Sequence, residues 1–234
     1  MARNSLQPTL NQSFRIVRDE EPKGRAVDFS AELRRSRRAE QEGAYEQACE
    51  IRFAAVQELV ELLPEDEVVE LDWEDVATRD AVVLLHSSAV DFFLVGDLEM
   101  AAAQLELLLD VDGDDHLEAT TLLALIYVAM GEWDSFDDIT LDLADKSPER
   151  SLALLWARFR REGALDAKEL AALRRFHPQY LAEWCADEHP ADGAYLADIA
   201  SERPSKGARA RELWLQTEPL WTEFHDFIEA LRRG

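Results

Sequence analysis

Cysteine is nearly missing from this chain of 234 residues: Cys49 and Cys185 are its only two, far apart in sequence. A disulfide framework is thereby excluded, and a reducing compartment is the natural setting. Glycine and proline are scarce as well, at nine and eight residues, which argues against a loop-rich or low-complexity chain. No apolar run approaches the length that crosses a bilayer, and the stretch from Met1 to Phe14 is too polar for a secretory signal. The expected location is the cytoplasm, away from membranes. A phosphate-cradling glycine loop, a nucleophile elbow and an HExxH zinc motif are all missing, so the expectation is a protein that is not an enzyme and takes no cofactor. What remains is 47% hydrophobic and 32% charged, the composition of a folded, helix-rich chain with enough length for a continuous core.

A short turn signature recurs in that chain: Gly43-Ala-Tyr45-Glu-Gln-Ala48, Gly96-Asp-Leu98-Glu-Met-Ala101 and Gly131-Glu-Trp133-Asp-Ser-Phe136. Each glycine is expected to end a helix in the left-handed conformation that lacks a Cβ clash. The large residue two positions on is expected to plug the seam, and a smaller one three further on to let the second helix press close. Seven residues before each glycine stands another small side chain, Ser36, Ala89 and Ala124. Pro148 should stop one hairpin and open the next helix, with Ser147 as its N-cap. Periodicity predicts helices near 31–42, 45–63, 74–95, 97–110, 115–130, 133–146, 149–162, 166–175, 178–187, 191–201, 206–216 and 218–232.

This signature resembles the tetratricopeptide repeat, a helix-turn-helix unit of about 34 residues. The resemblance is strongest over 80–148 and present over 30–64; at Gly163, Trp156 and Lys168 replace the small residues of the pattern. It implies an all-α fold, an α-α superhelix of hairpins over 30–165, preceded by an extended arm at 1–29 and closed by a helical cap at 166–234. Within the arm, Phe14-Arg-Ile16-Val17 is expected to dock as a short strand or helix, and Pro22, Gly24 and the Asp19-Glu20-Glu21 cluster to keep the rest open. Such arrays are mostly protein-binding scaffolds that hold a peptide or helix in a concave groove lined by first helices. Carried over by offset from each turn glycine, the groove positions include Arg37, His86, Phe93, Glu118, Thr121, Arg150 and Arg160. For Phe93 a core position competes with a ligand contact.

Charge is uneven. The net of −24 comes from residues 43–150, while 1–42 sum to +2 and 151–234 to −2. Such a field disfavours nucleic acid and anionic membranes and attracts a basic protein segment. Half of these acids, Glu50 and Glu58 among them, fall on second helices, which the resemblance places on the outer convex surface, so solubility and helix capping are the leading reading. A chaperone-like holder of a basic segment, and a structural subunit that forms a homodimer, stand as alternatives.

Two further patterns invite metal. Cys185 and His189 share a helical face with His177 nearby, and Asp110-Val-Asp112-Gly113-Asp114-Asp115 looks superficially like a calcium loop. The first lacks a second ligand pair and the second lacks its closing glutamate. A structural cysteine with a surface histidine, and a solvated loop, are expected.

Overall fold

A computed structural model describes residues 4–18, 26–64 and 67–234. The Asp19-Glu20-Glu21 cluster, Pro22 and Gly24 lie outside the described residues. The fold is all-α, with a single two-stranded sheet among the described residues. Two compact units divide the chain, Met1–Leu123 and Ala124–Gly234.

In the first unit, β1 (Asn4–Pro8) pairs antiparallel with β2 (Phe14–Arg18). The described part of the expected extended arm is thus a hairpin, and it is tied down. Phe14 N–H donates to Glu70 O and its carbonyl accepts from Asp72 N–H, both at 2.8 Å. Ile16 N–H finds the Thr78 hydroxyl at 2.8 Å. Leu71 N–H in turn donates to Val111 O at 2.8 Å. Burial of Val69 and Leu71 holds this non-helical segment inside, and the bonds of Glu70 O, Leu71 N–H and Asp72 N–H satisfy backbone groups that it would otherwise leave unpaired.

Two hairpins follow: α1 (Phe29–Gln41) with α2 (Tyr45–Val60), and α3 (Val76–Leu94) with α4 (Leu98–Val111). Asp28, Asp75 and Asp97 cap α1, α3 and α4, each accepting a backbone N–H three residues on. α5 (Ala119–Met130) carries the division between the units.

The turns show the expected geometry. Gly43, Gly96, Gly131 and Gly163 have φ between 74° and 83°. In the first three the residue after glycine donates back five positions, Ala44 to Ala39 O, Asp97 to Phe92 O and Glu132 to Tyr127 O, the closure that satisfies orphan carbonyls at a helix end. Gly163 makes only the bond to Phe159 O, and its next helix starts later. Ser36, Ala89 and Ala124 are fully buried, as are Ala48, Ala101 and Phe136. The seam-plugging role expected of Tyr45 is corrected: as the first residue of α2 it lies beyond its neighbours and is 67% exposed.

The second unit holds α6 (Trp133–Ile139), α7 (Pro148–Glu162), α8 (Ala167–Phe176), α9 (Pro178–Trp184), α10 (Gly193–Ile199), α11 (Lys206–Glu223) and α12 (His225–Arg233). Ser147 caps α7 with Pro148 in its first turn. α6 stops seven residues short of its predicted end at 146. Thr140 turns its hydroxyl back to Asp137 O at 3.0 Å, and the last turn offers acids and no cation to the negative end of the helix. α11 runs through residue 217, where a break was expected, and on past Pro219. Trp214 and Trp221, buried on either side of that proline, hold the helix against its neighbours, and the Trp221 indole donates to Thr217 Oγ1 at 2.8 Å. They belong to an aromatic core with Trp156, Trp184 and Phe227, whose ring centroids lie 4.9–6.2 Å apart.

Candidate functional site

The residues carried over as groove candidates divide between the units. In the first, Arg37 stands exposed on α1, and His86 lies half-buried on α3 beside Val83 and Val90. Burial pushes the His86 imidazole below the usual histidine range, with Asp115 opposing, so the ring is neutral near pH 7. Phe93 is 1% exposed; it is core and presents no surface to a partner. Glu118 is exposed in the segment before α5, with a left-handed φ of 55°, rather than on a first helix. Thr121 is half-buried on α5.

In the second unit, Arg150 pairs with Asp145. Arg160 lies over the Phe224 ring at 4.2 Å, a stacked cation held by the core. Both already have partners.

A concave feature appears where no residue pattern marked one. A cleft of about 700 Å³ lies among Arg18 at the end of β2, Ala26–Asp28, the first turns of α1 and one face of α2. Its floor is small and apolar: Ala31, Ile51, Ala54 and Ala55. Its rim carries Asp28, Glu32, Glu50 and Glu58, with Arg18 and Arg35. Asp28 is engaged in capping α1, and Glu32 holds Arg35 at 2.5 Å. Glu50 and Glu58 make no ion pair among the described residues. They sit eight residues apart on α2, about 12 Å along the axis, and flank the small floor. Small floor residues let a chain approach closely, and free carboxylates at that spacing favour cations on it. The periodicity of α2 was legible in the sequence; the cleft was not, because β2 and residues 26–28 supply its far wall.

The opposite face of α2 is sealed by a buried charge cluster. Arg52 donates to Asp91 of α3 at 2.8 Å and to Glu40 of α1 at 2.5 Å. Burial raises the Asp91 carboxyl above its usual range while Arg52 opposes, and burial together with Asp91 raises the Cys49 thiol. A thiol so held is protonated and unreactive at neutral pH. The cluster fixes α1, α2 and α3 against one another and so sets the shape of the cleft wall.

Neither metal-like pattern assembles a ligand set. Asp112 binds His116, with Oδ2 taking the backbone N–H at 3.0 Å and Oδ1 facing Nδ1 at 2.6 Å. Asp115 takes the N–H groups that open α5. His189 is not a surface residue: its Nδ1 meets Glu183 at 2.7 Å and its ring stacks on Trp214 at 3.9 Å, while Arg211 also binds Glu183. Among the described residues no cluster of three His, Cys, Asp or Glu side chains is placed to hold a metal ion, and no helix is long and apolar enough to cross a membrane. No family model, curated protein or solved structure matches this chain.

Proposed function

We propose that the chain is a non-enzymatic, tetratricopeptide-like scaffold of the cytoplasm, and that it holds a basic segment of a partner protein. One observation carries this reading: the cleft of about 700 Å³ couples a small apolar floor to Glu50 and Glu58, which make no ion pair among the described residues. The field of the acidic block, net −24 over residues 43–150, steers a basic segment toward it. Binding is expected to be micromolar and salt-sensitive, as befits a few polar contacts on a shallow floor. The acids of α2 then do more than keep an outer surface soluble.

The test is fluorescence anisotropy with a labelled peptide of arginine, glycine and serine, set against its glutamate counterpart. The basic peptide should bind, the acidic one should not, and Glu50→Lys with Glu58→Lys should weaken binding about tenfold or more. Equal affinity of the double variant and the wild type would remove the cleft from the interface.

A further inference from the structure

We infer that the first unit carries a second docking surface, at the end where α2 begins and α3 finishes, and that it takes an amphipathic helix of a partner with basic flanks. The α2–α3 register sets the geometry. Arg52 meets Asp91 at 2.8 Å and the Phe53 and Phe92 rings meet edge to face at 5.7 Å, so the start of α2 lies beside the end of α3. On α2, Tyr45 stands seven residues before Arg52 and therefore on the same stripe. On α3, Val95 stands four after Asp91 and continues that helix's facing stripe. The seam that is closed at Arg52 thus continues outward into two exposed side chains. Tyr45 is 67% and Val95 75% exposed, and Leu94 next to it is 58% exposed. Helical side chains lean toward the N-terminus, which carries Tyr45 out past the end of α2 rather than back into the seam.

Charge identifies the occupant. Glu42 caps the end of α1, Glu46 lies in the first turn of α2, and Asp97 and Glu99 open α4. None of the four makes an ion pair among the described residues, and the one cation in the last turn of α1 is Arg38. A second copy of the chain would set these carboxylates against themselves, and an acidic partner would fare no better. A helix with leucine-like anchors for the Tyr45–Val95 seam and lysine or arginine on its flanks satisfies both features. This surface is distinct from the cleft: Glu50, Ala54 and Glu58 turn toward the cleft, on the side of α2 away from the α3 seam.

The test uses a labelled synthetic helix of leucine and lysine at physiological salt, on the full chain. Tyr45→Ser with Val95→Ser should reduce its affinity about tenfold, while Glu50→Lys with Glu58→Lys leaves it within about twofold. Both substituted apolar residues are exposed, and unchanged far-UV circular dichroism verifies the fold. Glu42→Lys with Glu99→Lys is the second arm and should weaken the same peptide. Retention of full affinity in the Tyr45/Val95 variant, or a loss seen only in the cleft variant, would overturn the inference. So would a concentration-dependent dimer in light scattering that Tyr45→Ser abolishes, since the occupant would then be a second copy. Failure of the cleft alone shows instead in the hydrophilic basic peptide, which has no anchor for this seam.

Discussion

Arg52 and Asp91 form an ion pair at 2.8 Å with side chains 6% and 15% exposed, and among the described residues Arg52 Nε has no hydrogen-bond partner. Breaking such a pair strands a buried charge, whereas replacing both members need not. Arg52→Ala, which leaves Asp91 without its cation, should cost about 3–5 kcal/mol in urea unfolding, and Asp91→Ala should cost less because Glu40 still holds Arg52. Arg52→Met combined with Asp91→Leu should recover most of that. Single variants within about 0.5 kcal/mol of wild type would show that water reaches the pair.

Ala124 is fully buried seven residues before Gly131, in the position that Ser36 and Ala89 occupy before their own turns. Ala124→Leu should lower stability by about 1–3 kcal/mol through overpacking, read from thermal or denaturant melts. An unchanged melting temperature would mean that the position has room and that the repeat spacing there is coincidental.

Two histidines should give stability opposite pH dependences. The hydrogen bond to Asp112 raises the His116 pKa, so its contribution is complete below the ordinary histidine value and fades as pH rises through the raised one. Burial lowers the His86 pKa, so its neutral form supports folding above the ordinary value, and that support is lost as pH falls toward the lowered one. Melts across pH 5–9, a range of about four units around the ordinary histidine value, should separate them. His116→Gln should remove the loss on the alkaline side, and His86→Leu the loss on the acid side. Identical pH profiles for both variants and the wild type would contradict these assignments.

Salt offers a broader check. With 28 acids against four basic residues over 43–150, repulsion outweighs attraction on that block, and moderate sodium chloride should raise the melting temperature by screening it. A steady fall with salt would mean that exposed pairs such as Arg158 with Asp166 and Glu169 dominate instead.

Local chemistry was well written in the sequence. The four turn glycines, the Ser147 cap and the small residues before the first three turns all reflect short-range sterics that a few neighbouring residues decide. Pro219 shows the limit of such reading, since its helix-breaking tendency is overridden by Trp214 and Trp221, whose partners come from other helices. Phe93 shows another limit: an offset from a glycine gives a helical face, but only packing tells whether that face meets solvent. The cleft was harder still, because Arg18 and Glu58, forty residues apart in sequence, share its lining and no periodicity connects them.

The docking of β2 has a consequence for the order in which the chain is made. Phe14 bonds to residues 70 and 72, and Leu71 bonds to Val111, so the segment that receives β2 is itself pinned only once residue 111 has been made. Its own turn can close within moments, but the loops that seat it span most of the first unit and carry the entropy of long-range closure. The hairpin is therefore seated only after residues 70–72 have been made. Until then, the strand edge of β2 and the apolar residues Ile16, Val69 and Leu71 await one another, a stretch of synthesis in which a holding chaperone has something to grip.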